Sequence, residues 1–161
     1  MDVRILLFLL PVVCGQCPSP WNLEFQDSCY MIVKEKKPWA EADRNCGLHH
    51  SNGHLVKIES AQEQEFLTNH IRSHQAEYAG ELWTDGTDVE VQGEFVWDYL
   101  YQRLTYTNWK AGEPNNQGGH EHCVEYGRSY NYQWNDIPCD RSYQSICEFE
   151  YVPMIRKYYL F

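Results

Sequence analysis

Five side chains between residues 113 and 136 offer hard oxygen atoms: the carboxylates of Glu113, Glu121 and Asp136 and the amides of Asn115 and Asn135. They come in three pieces, Glu113-Pro114-Asn115, then Glu121, then Asn135-Asp136 behind Trp134. No cysteine sits inside these oxygen clusters, so a soft thiolate site is not indicated. Calcium takes about six to eight oxygens in flexible geometry, from carboxylates, amide and backbone carbonyls and water. The five residues supply most of such a shell and leave positions open for hydroxyl groups of a ligand. A calcium site that also meets a polyol is therefore the chemistry this stretch predicts.

Two other chemistries compete for the same residues. His120-Glu121-His122 offers imidazoles, which suit zinc. In an extended backbone, however, Glu121 points away from both histidines, so one zinc cannot take all three. His70 and His74 are four apart on a predicted helix, but position 71 is Ile71, and the HExxH pattern of zinc proteases is absent. Paired carboxylates also serve glycoside hydrolysis, which needs an acid whose pKa is raised. A cation beside Glu113 and Glu121 would lower theirs instead. No nucleophile–base pair is present to suggest another reaction, so binding without catalysis is expected.

Positioning such a site falls to the elements around it. A predicted helix runs from Trp39 to about Leu48 behind Pro38, with Trp39, Ala42 and Cys46 at core-facing spacing. A second follows the capping-box sequence Ser60-Ala61-Gln62-Glu63 and runs to about His74, placing Phe66, Leu67, His70 and Ile71 near one face. Strand patterns cover Tyr30–Val33, His54–Ile58, Leu82–Thr84, Glu94–Trp97, Leu104–Thr107, Cys123–Tyr126 and Gln144–Phe149. Two helices and many short strands indicate an α+β domain. Tyr126, Arg128, Tyr130, Tyr132 and Trp134 form an aromatic string beside the site. Trp134 is read as core, and the others either as ordinary loop residues or as the wall of an extended ligand site.

The chain opens on MDVRILLFLLPVVCG, an apolar run from Ile5 to Val13 with small residues after it. That run is too short to span a bilayer and reads as a signal peptide over residues 1–15, cleaved after Gly15. The product is expected to be secreted and extracellular, with Gln16 at its start and no membrane insertion. Cleavage removes Cys14 and leaves six cysteines, an even count that implies disulfides outside the cell. Cys17 and Cys29 would staple an N-terminal hairpin. The net charge of −10 and a pI near 5.1 exclude nucleic acid and anionic membrane as natural partners. One domain is expected over residues 16–149, followed by a tail at 150–161. That tail carries Tyr151, Tyr158, Tyr159 and Phe161. It is read either as a frayed terminus or as a surface that packs on a second copy to form a homodimer.

The three oxygen-bearing pieces, in this order and tied to these cysteines, resemble the C-type lectin domain over about residues 17–149. CPSPWNLEFQDSCY at residues 17–30 is similar to the amino-terminal hairpin of the family's long form; Trp134-Asn135-Asp136, Ile137-Pro138-Cys139 and the ICEF ending at 146–149 match as well. The resemblance implies a double-loop fold with two helices, short antiparallel sheets and disulfides Cys46–Cys147 and Cys123–Cys139 beside Cys17–Cys29. It implies a cis peptide bond before Pro114 and one calcium held by Glu113, Asn115, Glu121, Asn135 and Asp136. These five would also hydrogen-bond two neighbouring sugar hydroxyls, carboxylates accepting and amides donating. The order Glu-Pro-Asn resembles the mannose-type arrangement, whereas galactose-type members carry Gln-Pro-Asp, so mannose-type glycans are the expected partners. The family's auxiliary calcium site is matched only by Asp88; Gln92, Asn116 and His122 stand where acids are usual, and a second ion is expected to be absent or weak. The family's WIGL signature stands here as Trp83-Thr84-Asp85-Gly86, a polar pair at an apolar place.

Overall fold

The computed structural model describes residues 17–151 apart from residue 79. The expected signal peptide at 1–15 and all of the tail beyond Tyr151 lie outside the described residues, as does any contact through which that tail would make a dimer.

The chain enters through a hairpin, β1 (Leu23–Phe25) and β2 (Ser28–Lys37), which turns at Gln26, a residue with positive φ. Helix α1 (Trp39–His49) begins directly after Pro38 and buries Trp39, Ala42 and Cys46, the three expected positions. The predicted strand at 54–58 is hydrogen-bonded as β3 only over His54–Leu55; beyond it Val56 N still donates to Ile146 O. Helix α2 (Ala61–Ser73) is capped by Ser60, whose Oγ accepts from Glu63 N at 3.1 Å. The Glu63 carboxylate reaches back one residue further than a capping box requires and accepts from Glu59 N at 2.9 Å.

The sheet is built on β4 (Leu82–Thr87), buried along its whole length, and β9 (Tyr143–Glu150). These two run parallel, a departure from the expected antiparallel pairing; β2 and β3 both pair antiparallel with β9. Across β4 from β9 lies β7 (Cys123–Gly127), which carries β8 (Gln133–Ile137), while on the β9 side Gly86 and Thr87 of β4 pair with β5 (Val96–Trp97). The strand expected at Leu104–Thr107 does not form. The partner of β5 is instead β6 (Gln102–Arg103), after which Leu104 and Tyr106 leave the sheet to pack against the core. Their apolar spacing thus reports burial, not a ladder.

The core lies on both faces of this sheet. One cluster joins Ile58, Leu67, Ile71, Leu82, Trp97, Val124, Trp134 and Ile146. The other joins Trp21, Trp39, Leu55, Trp83 and Phe149 with the cystines. All three expected disulfides, Cys17–Cys29, Cys46–Cys147 and Cys123–Cys139, are present. The polar pair in β4 is satisfied only in part, since Asp85 Oδ1 is buried without a hydrogen-bond partner among the described residues. Thr84 Oγ1 donates to Val124 O, and Asp85 Oδ2 accepts from Tyr99 N at 2.9 Å. Gly86 is required by close approach: a Cβ there would lie 2.7 Å from Val124 Cγ2.

Behind the helices β9 carries a buried acid. Glu148 accepts from Ser28 Oγ at 2.7 Å and from Lys57 N at 3.0 Å, and Glu63 beside it accepts from Tyr30 Oη at 2.8 Å. Burial, and then the neighbouring Glu63, push the Glu148 carboxyl up to about 8.

Candidate functional site

The segment 108–122 is fixed to β8 before it reaches the first oxygen-bearing residue. Trp134 N donates to Asn108 O, and Lys110 N donates to Trp134 O at 2.9 Å. The chain then turns at Gly112, whose φ of 95° favours glycine, with Glu113 N donating back to Lys110 O. The Glu113–Pro114 bond is cis, as the resemblance implies.

Beyond the proline the backbone wraps over Asp136. This aspartate is fully buried, and its two oxygens accept from Asn115 N at 3.1 Å and Asn116 N at 2.8 Å. Asn116, at positive φ, directs its side-chain Oδ1 to Glu121 N at 3.0 Å, while Glu121 Oε2 accepts from Gln117 N at 2.7 Å. Glu113, Asn115, Glu121 and Asp136 are thereby gathered by one tightly bonded loop and the end of one strand. Asn135, next along β8, is held from the other side: its Nδ2 donates to Glu125 Oε1 at 3.2 Å.

The electrostatics of this cluster are unbalanced. The Glu113 side chain is 9% exposed, and its Oε2 is buried with no hydrogen-bond partner among the described residues. Burial raises its carboxyl above the usual range, and the negative charges of Asp136 and Glu121 raise it further. Only Lys110, with Nζ 4.0 Å from Glu113 Oε1, opposes them. The expected lowering of this group belongs to a cation-bound state; without a cation the carboxylates repel one another. An uncompensated buried oxygen among like charges is chemistry that suits a hard cation. A raised acid is also what a glycosidase needs, but Asp136 accepts from two backbone N–H groups and Glu121 Oε2 from Gln117 N, so neither neighbour of Glu113 is set up as a second catalytic carboxylate.

The zinc reading finds no geometry to support it. Among the described residues no three His, Cys, Asp or Glu side chains gather as a metal cage. The same holds for Glu113, Glu121 and Asp136 taken as three carboxylates, so the calcium reading rests on them together with the amides of Asn115 and Asn135. His122 faces Asp88, with Nδ1 2.9 Å from Oδ1. The other Asp88 oxygen accepts from Gln92 Nε2 at 2.9 Å and Gly93 N at 2.7 Å, and Gln92 Oε1 accepts from Asn116 Nδ2 at 2.7 Å. The four residues at the auxiliary-site positions thus bond to one another, and through Asn116 to the backbone of Glu121.

Of the aromatic string, Tyr126, Tyr132 and Trp134 are buried and belong to the core, so they wall no ligand site. Trp134 Nε1 donates to Gln64 Oε1 at 2.9 Å. Arg128 is turned toward Tyr78 O at 3.0 Å. Tyr130 alone reaches the site's surroundings: its hydroxyl donates to Glu125 Oε1 at 2.8 Å, and Lys110 Nζ lies 4.5 Å above its ring. Glu125 itself is the residue that reading the sequence passes over. Only the register of β7 against β8, which sets Glu125 opposite Asn135, brings it to the site.

Residues 35–149 match the Lectin C-type domain family. Over 137 residues the chain is 40% identical to the low affinity immunoglobulin epsilon Fc receptor of Mus musculus, covering 84% of this chain but only 38% of the receptor. The cow C-type carbohydrate-recognition domain of CD23, solved in the presence of a GlcNAc2Man3 oligosaccharide, superposes with a TM-score of 0.72 at 34% identity, over 86% of this chain and 99% of that one. A calcium-independent type II antifreeze protein superposes with a TM-score of 0.71 at 26% identity, over 84% and 95% of the two chains.

Proposed function

This chain belongs to the C-type lectin domain family, and on that premise we propose that it is a calcium-dependent carbohydrate-binding module for mannose-type terminal sugars. The observation that carries the reading is the buried, unpartnered Glu113 Oε2 set beside Asp136 and Glu121. Glu113, Asn115, Glu121, Asn135 and Asp136 would hold one calcium. When bound, the ion supplies a Lewis-acidic centre to which neighbouring sugar hydroxyls coordinate. The chain's part is orientation. Asp136 fixes the backbone of residues 115–116, and carboxylate acceptors and amide donors would take the hydroxyl hydrogens and lone pairs. The Asp88–His122–Gln92–Asn116 network supports a single ion, because it stands where a second would need carboxylates. The chain is proposed to act outside the cell, as its disulfides suit; among the described residues no helix is long and apolar enough to cross a membrane.

A second reading, a member that binds ice or protein without sugar, draws on the likeness to the antifreeze protein. A glycan array run with calcium and again with excess chelator separates the two. The lectin reading expects mannose-type signals that vanish with chelator. Signals that persist, or none in either condition, would sink it.

A further inference from the structure

Asn135 carries two amide hydrogens and one carbonyl oxygen, and nothing in an asparagine itself decides which end faces which way. Here the choice is made by Glu125. The antiparallel register of β7 and β8 sets the two residues directly opposite, so their side chains share one face. Asn135 Nδ2 donates to Glu125 Oε1 at 3.2 Å, and Tyr130 Oη donates to the same oxygen at 2.8 Å. With two hydrogens aimed at it, that oxygen is an acceptor. A flipped Asn135 would press its own carbonyl oxygen against it. The flip is therefore closed, which leaves Asn135 Oδ1 and the second amide hydrogen without a partner among the described residues.

Glu125 is held through one oxygen, Oε1, while its Oε2 is buried without a hydrogen-bond partner among the described residues. It is 1% exposed, and Tyr130 reaches it from the turn that ends β7. Lys110 lies over the Tyr130 ring, and its Nζ is 4.0 Å from Glu113 Oε1. A continuous set of contacts, Glu113–Lys110–Tyr130–Glu125–Asn135, thus joins the loop side of the site to its strand side.

We propose that Glu125, braced by Tyr130, is a positioning residue that orients the Asn135 amide so that its oxygen is presented to the cation and its free hydrogen to a sugar hydroxyl. This rests on the reading of Asn135 as a ligand. Partners of metal ligands that fix their orientation commonly change affinity by about 10–100-fold when removed.

The test uses Glu125→Met, which keeps the buried volume and removes the acceptor, and Glu125→Gln, which keeps an acceptor oxygen. In the calcium-free protein the Asn135 side-chain amide signals are assigned by their loss in Asn135→Asp. Wild type and Glu125→Gln should show two distinct amide hydrogens, one of them protected from solvent exchange; in Glu125→Met that protection should be lost. In calcium titrations Glu125→Met should bind at least about tenfold more weakly than wild type, with Glu125→Gln close to wild type. If Glu125→Met does not fold, Tyr130→Phe carries the same measurements, with a smaller loss expected in both. An Asn135 amide that exchanges alike in wild type and the acceptor-free variant overturns the proposal while leaving the lectin reading standing. A wild type that takes up no calcium overturns both.

Discussion

Replacing Glu148 by Gln should make the fold more stable at alkaline pH and leave it nearly unchanged in mild acid. In the native chain this carboxyl stays protonated up to about pH 8, whereas an unfolded glutamate ionises near 4.5. The folded state therefore holds an extra proton across that interval, and raising the pH removes stability by about 1.4 kcal/mol per pH unit. Between pH 5 and pH 8 the loss is on the order of 4 kcal/mol, or roughly 10 °C of melting temperature for a domain of this size. Glutamine fits the site without leaving an orphan: its oxygen can accept from Lys57 N and its amide can donate to Ser28 Oγ, which now gives a hydrogen to Glu148. It also relieves Glu63, whose carboxyl burial raises as well. His54 works in the opposite sense. Burial holds its imidazole down to about 4, so its contribution is lost as pH falls from 6.5 toward 4, but equally in both proteins. Thermal melts in calcium-free buffer at pH 5, 6, 7 and 8 measure the difference. Melting temperatures of wild type and Glu148→Gln that run parallel over this range would refute the reasoning.

Calcium affinity should lie at roughly 10⁻⁴–10⁻³ M at neutral pH and fall in acid, where protons compete with the ion for carboxylate oxygen; titrations at pH 5 and 7.4 that agree would contradict the carboxylate site. Stoichiometry should be one ion per chain, because Asp88 is occupied by Gln92, Gly93 and His122, and calorimetry giving two would show that this network opens. Glu113→Gln with Asn115→Asp conserves charge and oxygen count while exchanging acceptor and donor positions, so calcium should remain. Each mismatched hydroxyl costs about 1–3 kcal/mol, enough to shift the preference from mannose toward galactose by tenfold or more. Competition by the two sugars decides it.

The parts of the fold read correctly from sequence are those whose cause is local. Pro38 and the Ser60–Glu63 cap mark both helix starts because they act within one turn. The cystines follow from a motif resemblance, since six cysteines alone leave fifteen pairings open. Leu104–Thr107 misleads because apolar alternation reports burial whether or not a neighbouring strand is in reach. Tyr126 and Tyr132 mislead for the converse reason: tyrosines near a site can be core residues, and only packing against α2 shows that they are. Glu125 lies beyond sequence reading altogether, whereas the resemblance set Asp88 and His122 at one auxiliary site and left only their direct bond to the structure. The Glu125 and Asp88–His122 contacts both depend on which residue a strand or loop sets opposite another, across ten positions in one case and thirty-four in the other.

The cystine arrangement has a mechanical consequence. Cys17 is joined to Cys29, and Cys29 pairs across the sheet with Phe149, so both ends of the described chain emerge at one edge. Tension applied between those ends runs through the Cys17–Cys29 bond, along residues 29–46, and across Cys46–Cys147 to the last strand. Everything between 47 and 146, including the five oxygen-bearing residues, hangs as a side loop off that path. Between residues 17 and 151 only about 21 peptide steps can be drawn out, roughly 70 Å at full extension, against roughly 450 Å for the same residues without crosslinks. A pulling experiment under oxidising conditions should find the short extension and, after reduction, the long one. Held in shear flow by either end, the domain would strain its tether while its binding loops stay slack.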